Sequence, residues 1–487
     1  MGGYHPPRGW CPGPKLRETM RLKYLLFCGL AFSVPRALQA QGPELAFGND
    51  SARALADTVP QDSALALPPV QQPQAIRALG EIAILNVAAV GINNLARDLP
   101  STRPQTWWRN LKGGWIWDPN GISTNNLEHP YGGAVYYNVA RANGLSFWTA
   151  TPMTLAGSLM WELFGEPVQP SINDVVITSL SGVNFGESIR RISDLLLDNQ
   201  ARGIDRVWRE AVVLLMNPGM GVDRLSRGQT WQQRANPVDH HPDHLRTEVA
   251  LGVKRMATTE RTGAGIDVAV IGLDLAYGDP FAGTRVQPFS YFTFSLALGS
   301  GPATTINEIS TRGVLAALGH RTQPGQSVAG IFMDFEYQYN EQYRFSQQSF
   351  GIGLLSRRTG SSWSLHTDVS AEVAPLVATS DAYANALVDR EFDYGAGVGG
   401  RALARLEHRG TTILSAGYRG YWTATLNGAS QSKFINFVSV EARAPLPFGL
   451  AAGAAYNLFL QRSSYGARSA ETSAKPSISL FVSTTGR

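Results

Sequence analysis

Apolar and polar residues alternate over long segments in the second half of the chain, residues 245–487. The segments Trp363–Val373 and Ile331–Asn340 show the pattern, with His366 and Asp368 on the polar side of the first. A period of two is typical of a β-strand whose two faces meet different surroundings. Such strands build either a soluble β-sandwich around an apolar core or a membrane β-barrel with its apolar side on lipid.

The N-terminus favours the membrane alternative because it reads as an export signal. Residues 1–40 are predicted to be a leader, with the signal peptide in residues 20–40 and the true start at Met20. A basic region is followed by an apolar stretch that is too short to cross a bilayer as a helix. Both cysteines, Cys11 and Cys28, precede the expected cleavage after Ala40, so we expect the mature chain to have no disulfide and no thiolate ligand.

Strand number and length favour the same alternative. About twelve candidate strands follow residue 245, each long enough for a tilted crossing of about 9–11 residues. Residues 265–277 and 305–318 alternate poorly, which predicts β-bulges there. The predicted fold class is an α+β membrane protein with an N-terminal helical domain followed by an antiparallel transmembrane β-barrel of about 12 strands. Tyr418, Tyr421 and Trp422 suit an interfacial aromatic girdle.

The predicted location is the outer membrane of a Gram-negative-type bacterium, or the periplasm if the strands form a soluble sandwich instead. Charged residues on the polar strand faces must then point into the lumen, because each would cost ~2–4 kcal/mol near the lipid midplane. Both signs are present, so we expect them to pair into a network that fills the lumen rather than lining a wide pore. The lumen residues are Asp334, Glu336, His366, Asp368, Glu372, Arg401, Arg405 and Arg419.

Four regions precede or form the barrel. Residues 41–75 are rich in Gln, Pro, Ala and Ser and are predicted to be a flexible lead. Residues 76–225 form the helical domain, 226–244 a polar linker, and 245–487 the barrel. Glu81, Asn86 and Asn93 interrupt the apolar helix predicted over 76–98, which favours packing against protein rather than lipid.

The overall charge excludes some partners. The formal charge of +4 and the pI near 9.0 suit contact with anionic lipid head groups. No basic block with interleaved aromatic residues occurs, so nucleic acid is not an expected partner. The expected partners are outer-membrane lipids and the barrel-assembly machinery that inserts such proteins. The oligomeric state is not fixed by the sequence.

Three sequence blocks within residues 80–200 carry a family resemblance. They read NNLEHPYGGAVYYNVARANG, GSLMWELFGEPVQPSINDVVIT and GVNFGESIRRISD, in this order and with compatible spacing. They resemble the family of exported bacterial proteins described as domain of unknown function 3943. The resemblance implies a location in the cell envelope. The family has no assigned activity, so it supplies no catalytic residue.

Residues 125–194 concentrate polar side chains among apolar helices. His129, Glu162 and Asp174 are the candidate catalytic residues, as a His/carboxylate acid–base pair. The candidate binding residues are Asn126, Arg141, Glu166, Glu187, Arg190 and Arg191. The alternative is structural, with Asp174 capping a helix and Glu187 pairing with arginines three and four residues later. No cofactor motif is evident, and a divalent metal on His129 and the carboxylates remains an alternative.

Two functions follow from these patterns. The first is an outer-membrane barrel with a periplasmic or lumen-plugging helical domain, acting in envelope structure or transport. The second is an envelope lipid- or glycolipid-modifying hydrolase or transferase, with arginines holding an anionic head group near His129 and Glu162. Whether the chain is an enzyme is left open by the sequence.

Overall fold

A computed structural model describes residues 72–95, 102–237, 241–257, 265–282, 287–321, 325–381, 383 and 391–486. The predicted signal peptide, both cysteines and the lead up to residue 71 lie outside this part of the chain. The described residues form helices up to Ser226 and strands from Leu245 onward. The predicted fold class is therefore confirmed.

Seven α-helices occupy the described part of the helical region. Two short π-helical segments extend the set: Thr124–Glu128 leads directly into α3, and Trp161–Gly165 continues α4. The α-helices are α1 Ala75–Leu95, α2 Pro104–Lys112, α3 His129–Ala142, α4 Phe147–Met160, α5 Ile172–Leu196, α6 Gly203–Met216 and α7 Pro218–Ser226.

Glycine lets α3 and α5 approach closely. A Cβ on Gly133 of α3 would lie 1.9 Å from the carbonyl oxygen of Thr178, and one on Gly182 of α5 would lie 2.6 Å from the backbone of Gly133. A Cβ on Gly186 would lie 2.9 Å from the ring of Tyr137. Small residues at such crossings are common where helices pack in membranes.

Twelve antiparallel strands close into a barrel. Each strand pairs with its neighbours in sequence, and β1 also pairs with β12, so that Val253 lies between Ala269 of β2 and Leu480 of β12. The strands are β1 Leu245–Ala257, β2 Gly265–Tyr277, β3 Phe292–Gly299, β4 Ile306–Arg321, β5 Gln326–Tyr339, β6 Arg344–Thr359, β7 Trp363–Ser380, β8 Phe392–His408, β9 Thr411–Asn427, β10 Ser432–Pro445, β11 Leu450–Ser464 and β12 Glu471–Gly486.

The two ends of the barrel differ. At the end where β1 begins and β12 finishes, here called the terminal rim, β8 and β9 are joined by only Arg409 and Gly410. Both have positive φ, 49° and 78°, as a two-residue hairpin turn of this kind requires. The other end, the distal rim, carries the connections 381–391 and 465–470, whereas the longest connection between the described strands, 278–291, lies at the terminal rim.

Contacts between non-adjacent strands identify the lumen side of the wall. Asp334 and Glu336 of β5 bind Arg401 of β8 and Arg419 of β9, respectively. Since β6 and β7 lie between β5 and β8, these side chains meet only through the interior. Phe335, between Asp334 and Glu336, therefore points outward.

The helices lie against the outer face of the barrel wall. The ring of Phe185 in α5 lies 5.9 Å from that of Phe335. Ser188 Oγ lies 2.6 Å from Thr311 Oγ1, and Thr311 precedes the lumen-facing Arg312 on β4. The expectation of a lumen plug is thus wrong, because α5 contacts side chains on the outer face of the strands, and the charged residues of the lumen lie on the inner face.

Helix α1 also differs from expectation. It buries only Ala78, Ile82 and Asn86, while Ile84 and Val87 are 68% and 71% exposed. Its apolar residues therefore do not mainly pack against protein, contrary to the sequence prediction. Among the described helices, α1 alone is long and apolar enough to cross a membrane by length and composition.

Candidate functional site

The lumen holds a buried ion-pair network at mid-height. Arg312 Nη1 lies 2.5 Å from Asp334 Oδ2 and 3.5 Å from Glu372 Oε1, and its Nη2 donates to Asp368 at 3.1 Å. Arg401 reaches the other oxygen of Asp334 at 3.2 Å. Side chains of four strands thus meet around one guanidinium, and each charge is compensated within the lumen.

A second polar layer lies beside this network. Arg419 binds Glu336 across the barrel, and the Tyr421 hydroxyl donates to Glu372 Oε2 at 2.8 Å. Ser349 donates to the same Glu372 oxygen at 3.1 Å. Because Glu372 accepts from both and also faces Arg312, the two layers form one connected network.

An aromatic layer crosses the lumen toward the distal rim. The rings of Phe345 on β6 and Phe437 on β10 lie 4.8 Å apart, and Tyr343 stacks on Phe459 at 4.1 Å. Strands β6 and β10 are not neighbours, so these rings meet through the interior. The layer comprises Phe345, Ala374, Val377, Tyr421, Ile435, Phe437 and Phe459, with Tyr343 packed against it.

A buried lysine stands beyond the aromatic layer. Lys433 of β10 is 1% exposed, and its Nζ lies 3.0 Å from Asp381 and 3.2 Å from Asp393. It also donates to the carbonyl oxygen of Ser380 at 2.9 Å. This triad adds a third contact between separated strands.

All eight lumen residues named from the sequence face the interior. His366 and Arg405 lie nearer the terminal rim than the network, and His366 Nε2 lies 3.6 Å from Glu407. Arg405 has no hydrogen bond or ion pair with any residue that the structure describes. These side chains line a cavity of about 330 Å³ together with Arg312, Asp334, Asp368, Arg401 and Arg419.

Arg312 and Lys433 are lumen residues that the sequence patterns did not reveal. Arg312 was hidden because the register of β4 shifts between Val314 and Ala316 and again between Ala317 and Gly319, which breaks the period of two. Residues 305–318 were expected to be bulged or misplaced, and these shifts confirm the bulges. The same expectation for residues 265–277 is wrong, because β2 spans Gly265–Tyr277 and pairs with β1 and β3 without a register shift.

The sequence does contain a signal for Lys433, because it alternates with the apolar Phe434. In the structure Phe434 is 52% exposed on the outer face, so Lys433 points inward. The expectation that Tyr421 belongs to an outer aromatic girdle is wrong, because its side chain points into the lumen, whereas Tyr418 and Trp422 are exposed on the outer face.

The three candidate catalytic residues come together at the distal-rim end of the helical domain. Glu162 Oε2 accepts from the backbone N–H of Ser171 at 2.8 Å, and the Ser171 hydroxyl donates to Asp174 Oδ2. His129 Nε2 lies 3.8 Å from Asp174 Oδ1, while its Nδ1 lies 3.1 Å from the hydroxyl of Thr178. Glu162 and Asp174 are almost fully buried.

Two carboxyl groups in the connections beside this cluster have raised pKa values. Burial, followed by the charge of Asp174, raises the pKa of Asp118 to about 6, with His129 acting in the opposite direction. Burial raises the pKa of Glu166 to about 7, against the lowering effect of His129. Trp161 Nε1 donates to Glu166 at 3.0 Å. The cluster therefore favours neutral carboxyl groups near pH 6–7.

The candidate binding residues divide between two places. Asn126 Nδ2 donates to the hydroxyl of Tyr394 on β8 at 3.3 Å, so it joins the helical domain to the barrel wall. Glu187 is fully buried near the other end of α5 and binds three arginines. The distances are 3.0 Å to Arg141, 2.8 Å to Arg190 and 3.0 Å to Arg191.

Most polar groups of both clusters find partners within the protein, but Oε1 of the buried Glu162 has no hydrogen-bond partner among the described residues. Tyr137 also donates to Glu187 at 2.9 Å, so this carboxylate is surrounded by donors from α3 and α5. Within the described residues, no three His, Cys, Asp or Glu side chains are grouped as a metal ion would require. The metal alternative therefore finds no ligand set in this part of the chain.

Comparison with known proteins identifies the helical region. Residues 114–219 match the family described as "Domain of unknown function (DUF3943)". This confirms the resemblance predicted from the three sequence blocks and adds no activity to it. None of the curated proteins compared with the chain matches it.

Solved structures similar to this chain include outer-membrane channels. The NanC porin has 8% identity and a TM-score of 0.28, with 48% of this chain and 98% of that chain covered. The DcaP channel of Acinetobacter baumannii has 8% identity and a TM-score of 0.23, with 50% of this chain and 96% of that chain covered. An outer-membrane channel from Pseudomonas putida F1 has 10% identity and a TM-score of 0.24, with 51% of this chain and 99% of that chain covered. What this chain does must therefore be inferred from its own contacts.

Proposed function

We propose that this chain, which carries the domain of unknown function 3943 ahead of a closed barrel, is an outer-membrane protein with a sealed lumen. Its role is in envelope structure, as a rigid wall that carries the helical domain, rather than in free diffusion of solutes. The contacts across the lumen carry this proposal. Arg419 on β9 binds Glu336 on β5, and Phe437 on β10 packs on Phe345 on β6, so both contacts pass through the interior. The Lys433 triad adds a buried polar contact from β10 to β8 and to the end of β7.

The outer face of the wall supports a membrane location. Large apolar side chains are exposed around the barrel, including Leu251 at 55%, Ile352 at 64%, Val373 at 57% and Leu480 at 63%. The charged side chains that form the ion-pair network point into the lumen instead. Soluble proteins rarely expose so much apolar surface, whereas the lipid-facing wall of a membrane barrel requires it.

The connections favour one orientation in the outer membrane. Four of the five connections between the described strands at the terminal rim have at most four residues, although the fifth, 278–291, is the longest in the barrel. Four of the six connections at the distal rim have six residues or more. Bacterial barrels have mostly short periplasmic turns and longer outer loops. The terminal rim then faces the periplasm, and the barrel-assembly machinery and outer-membrane lipids are the partners that such a protein needs.

Single-channel recording in planar lipid bilayers tests the seal. We expect the wild-type protein to insert without a steady open-channel current, because the aromatic layer crosses the lumen and obstructs hydrated ions. Replacing Phe437→Ala and Phe459→Ala together removes two rings from the layer. We expect this variant to conduct at least about tenfold more than wild type, since a dry aromatic constriction is a barrier to ions.

The matched control is Phe434→Ala on the same strand. Phe434 is 52% exposed on the outer face, so its loss leaves the lumen unchanged and the current at the wild-type level. A large steady current through the wild-type protein would contradict the sealed lumen. Equal currents in Phe434→Ala and the double variant would show that the aromatic layer is not the seal.

The contacts give the enzymatic alternative no specific support. Glu162 accepts from the backbone at the start of α5, and Asp174 accepts from Ser171 one residue before that helix. Both contacts lie at the start of α5, although the Ser171 side chain forms no capping hydrogen bond with the helix. We therefore do not assign a reaction to His129, Glu162 and Asp174.

A further inference from the structure

We infer that the helical domain, residues 75–226, lies within the lipid bilayer beside the barrel, with its apolar outer surface on the acyl chains of outer-membrane lipids. This inference rests on the proposed outer-membrane location. It replaces both the periplasmic and the plugging positions expected from the sequence. Five features of the described residues lead to it.

The first feature is depth, because the helices touch the wall from rim to rim. Tyr394 is two residues inside the distal-rim end of β8, and its hydroxyl accepts from Asn126 at 3.3 Å and from Asn173 at 3.4 Å. At the other rim, Arg191 donates to the carbonyl oxygen of Pro288 at 3.1 Å. A domain held along the full height of a membrane-spanning wall occupies the same depth as the lipid.

The second feature is helix length. Helix α1 has 21 residues and α5 has 25, which at a rise of about 1.5 Å per residue gives lengths of about 31 and 37 Å. The hydrocarbon core of a bilayer is about 30 Å thick. Helix α4 with its π-helical continuation runs from Phe147 to Gly165 and is nearly as long.

The third feature is the surface of the domain. Among the described residues of the domain, the charged ones that are exposed as a whole are Arg77, Arg103, Arg109, Lys112 and Arg202. Arg77 and Arg202 lie at helix ends, and the other three lie in or beside the short α2. The side chains exposed in the middle of the long helices are apolar, such as Ile84, Val87 and Leu155. This surface continues the apolar outer face of the barrel, so one lipid phase can cover both.

The fourth feature is that the interior holds fully buried polar groups beside apolar residues such as Ile82 and Val139. Glu187 is fully buried with three arginines, and Asn125, Asn173 and Asn184 are also fully buried. Polar groups facing a helix-bundle interior and apolar groups facing outward are typical of helices in lipid. The glycine contact between α3 and α5 belongs to the same packing style.

The fifth feature is tryptophan at both ends of the domain. Trp107, Trp108 and Trp115 are exposed near the distal rim, where the neighbouring Trp117 lies 5.4 Å from Tyr394. Trp148 is 59% exposed near the terminal rim, next to Phe147, whose ring stacks at 5.8 Å on Phe289. Tryptophan is enriched at both surfaces of a bilayer, so the spacing of these residues marks its two interfaces.

Cysteine accessibility tests the position of the helical domain. In the full chain with Cys11 and Cys28 replaced by serine, single cysteines are introduced as Val87→Cys in α1 and Leu155→Cys in α4. Val369→Cys on the outer face of β7 reports on lipid, and Ser361→Cys in the β6–β7 turn reports on water. Each variant is labelled in open outer-membrane fragments, accessible from both faces, with a charged, membrane-impermeant maleimide, before and after denaturation.

We expect Val87→Cys, Leu155→Cys and Val369→Cys to react at least about tenfold more slowly than Ser361→Cys, because a thiol in lipid stays protonated and meets no charged reagent. Rapid labelling of the two helical cysteines with a protected Val369→Cys would overturn the inference and leave the outer-membrane barrel standing. Rapid labelling of Val369→Cys as well would overturn the proposed location itself. All four must react equally after denaturation.

A second readout separates lipid from a covering protein. The same cysteines receive a fluorophore, and the protein is reconstituted into vesicles of phosphatidylethanolamine and phosphatidylglycerol with brominated acyl chains. Quenching at Val87→Cys and Leu155→Cys comparable to that at Val369→Cys is the expected result. Protection from the maleimide without quenching would mean that a second copy of the chain covers the helices, which contradicts the lipid contact.

Discussion

Burial determines the protonation of two carboxyl groups in the helical domain. Asp118 and Glu166 lie close to Asp174 and His129, and burial is the main reason that the pKa of each carboxyl group is raised. The neutral form of each is therefore favoured in the folded state. Because the unfolded chain returns these groups to their ordinary pKa values of 3.8 and 4.5, folding and protonation are linked.

This linkage predicts a direction for stability against pH. A folded pKa above the unfolded one contributes stability that is complete below about pH 4 and is lost as pH rises through about 6 to 7. We expect the melting temperature of the helical domain, followed by tryptophan fluorescence, to fall between about pH 4 and pH 8. The double variant Asp118→Asn, Glu166→Gln stays neutral throughout, so its melting temperature should change less.

The control for this experiment is Asp205→Asn, which breaks a pair with Arg209 at 3.1 Å in which the aspartate side chain is 47% exposed. Exposed pairs contribute ~0–1 kcal/mol, so this variant should keep the wild-type slope. A double variant with the wild-type slope would show that Asp118 and Glu166 are ionised in the folded protein.

At the level of secondary structure, α3 and α5 can pack closely because glycine, which has no side chain, stands at their point of contact. The two helices meet at Gly133 and Gly182, where a single added carbon has no space. A Cβ added to the adjacent Gly132 would have no other atom within 4 Å. Two neighbouring glycines of one helix thus differ completely in what they permit.

Alanine substitution at these two positions should give opposite results. Gly133→Ala should destabilise the helix pair by ~1–3 kcal/mol, because α3 and α5 must separate to admit the methyl group. Gly132→Ala should stabilise α3 by ~0.5–1 kcal/mol, since alanine loses less backbone entropy in a helix. Hydrogen exchange of α3 and α5 peptides, followed by mass spectrometry, measures both effects. Equal exchange in the two variants would exclude the close contact.

Strand patterns explain which part of the site could be predicted from the sequence. The regular alternation of β5 and β7 assigns Asp334, Glu336, Asp368 and Glu372 to the polar side of the wall. Their main cation, Arg312, lies on β4, whose register shifts conceal its parity. The acidic residues of the lumen were therefore predictable, but Arg312, which binds three of them, was not. A β-bulge shifts the alternation, so residues after it point to the opposite face from the one that a period of two predicts.

For the molecule as a whole, closure of the sheet and the cross-lumen pairs should make unfolding of the barrel slow. The first and last strands leave no open edge, since β1 pairs with β12, and Arg312 ties together side chains of β5 and β7. A compact barrel resists detergent until it is heated.

Gel mobility of the outer-membrane fraction tests this closure. In mild detergent, the unheated protein should migrate faster than the boiled protein, because the intact barrel is more compact than the unfolded chain. A soluble periplasmic protein without a mobility shift would contradict both the barrel in the membrane and its location. The Gly133→Ala variant should retain the shift, because its defect lies in the helices and leaves the barrel closed.

Local patterns in the sequence were sufficient for the barrel, its strand number and the polarity of its two faces, because strand periodicity can be read without knowledge of neighbours. They also carried the family resemblance, predicted over residues 80–200 and matched by the family over 114–219. The position of the helices outside the wall and the aromatic rings across the lumen became visible only in three dimensions. Both depend on contacts between residues far apart in the chain, such as Phe185 with Phe335 and Phe345 with Phe437, and no local pattern encodes which face of a wall a distant helix will cover.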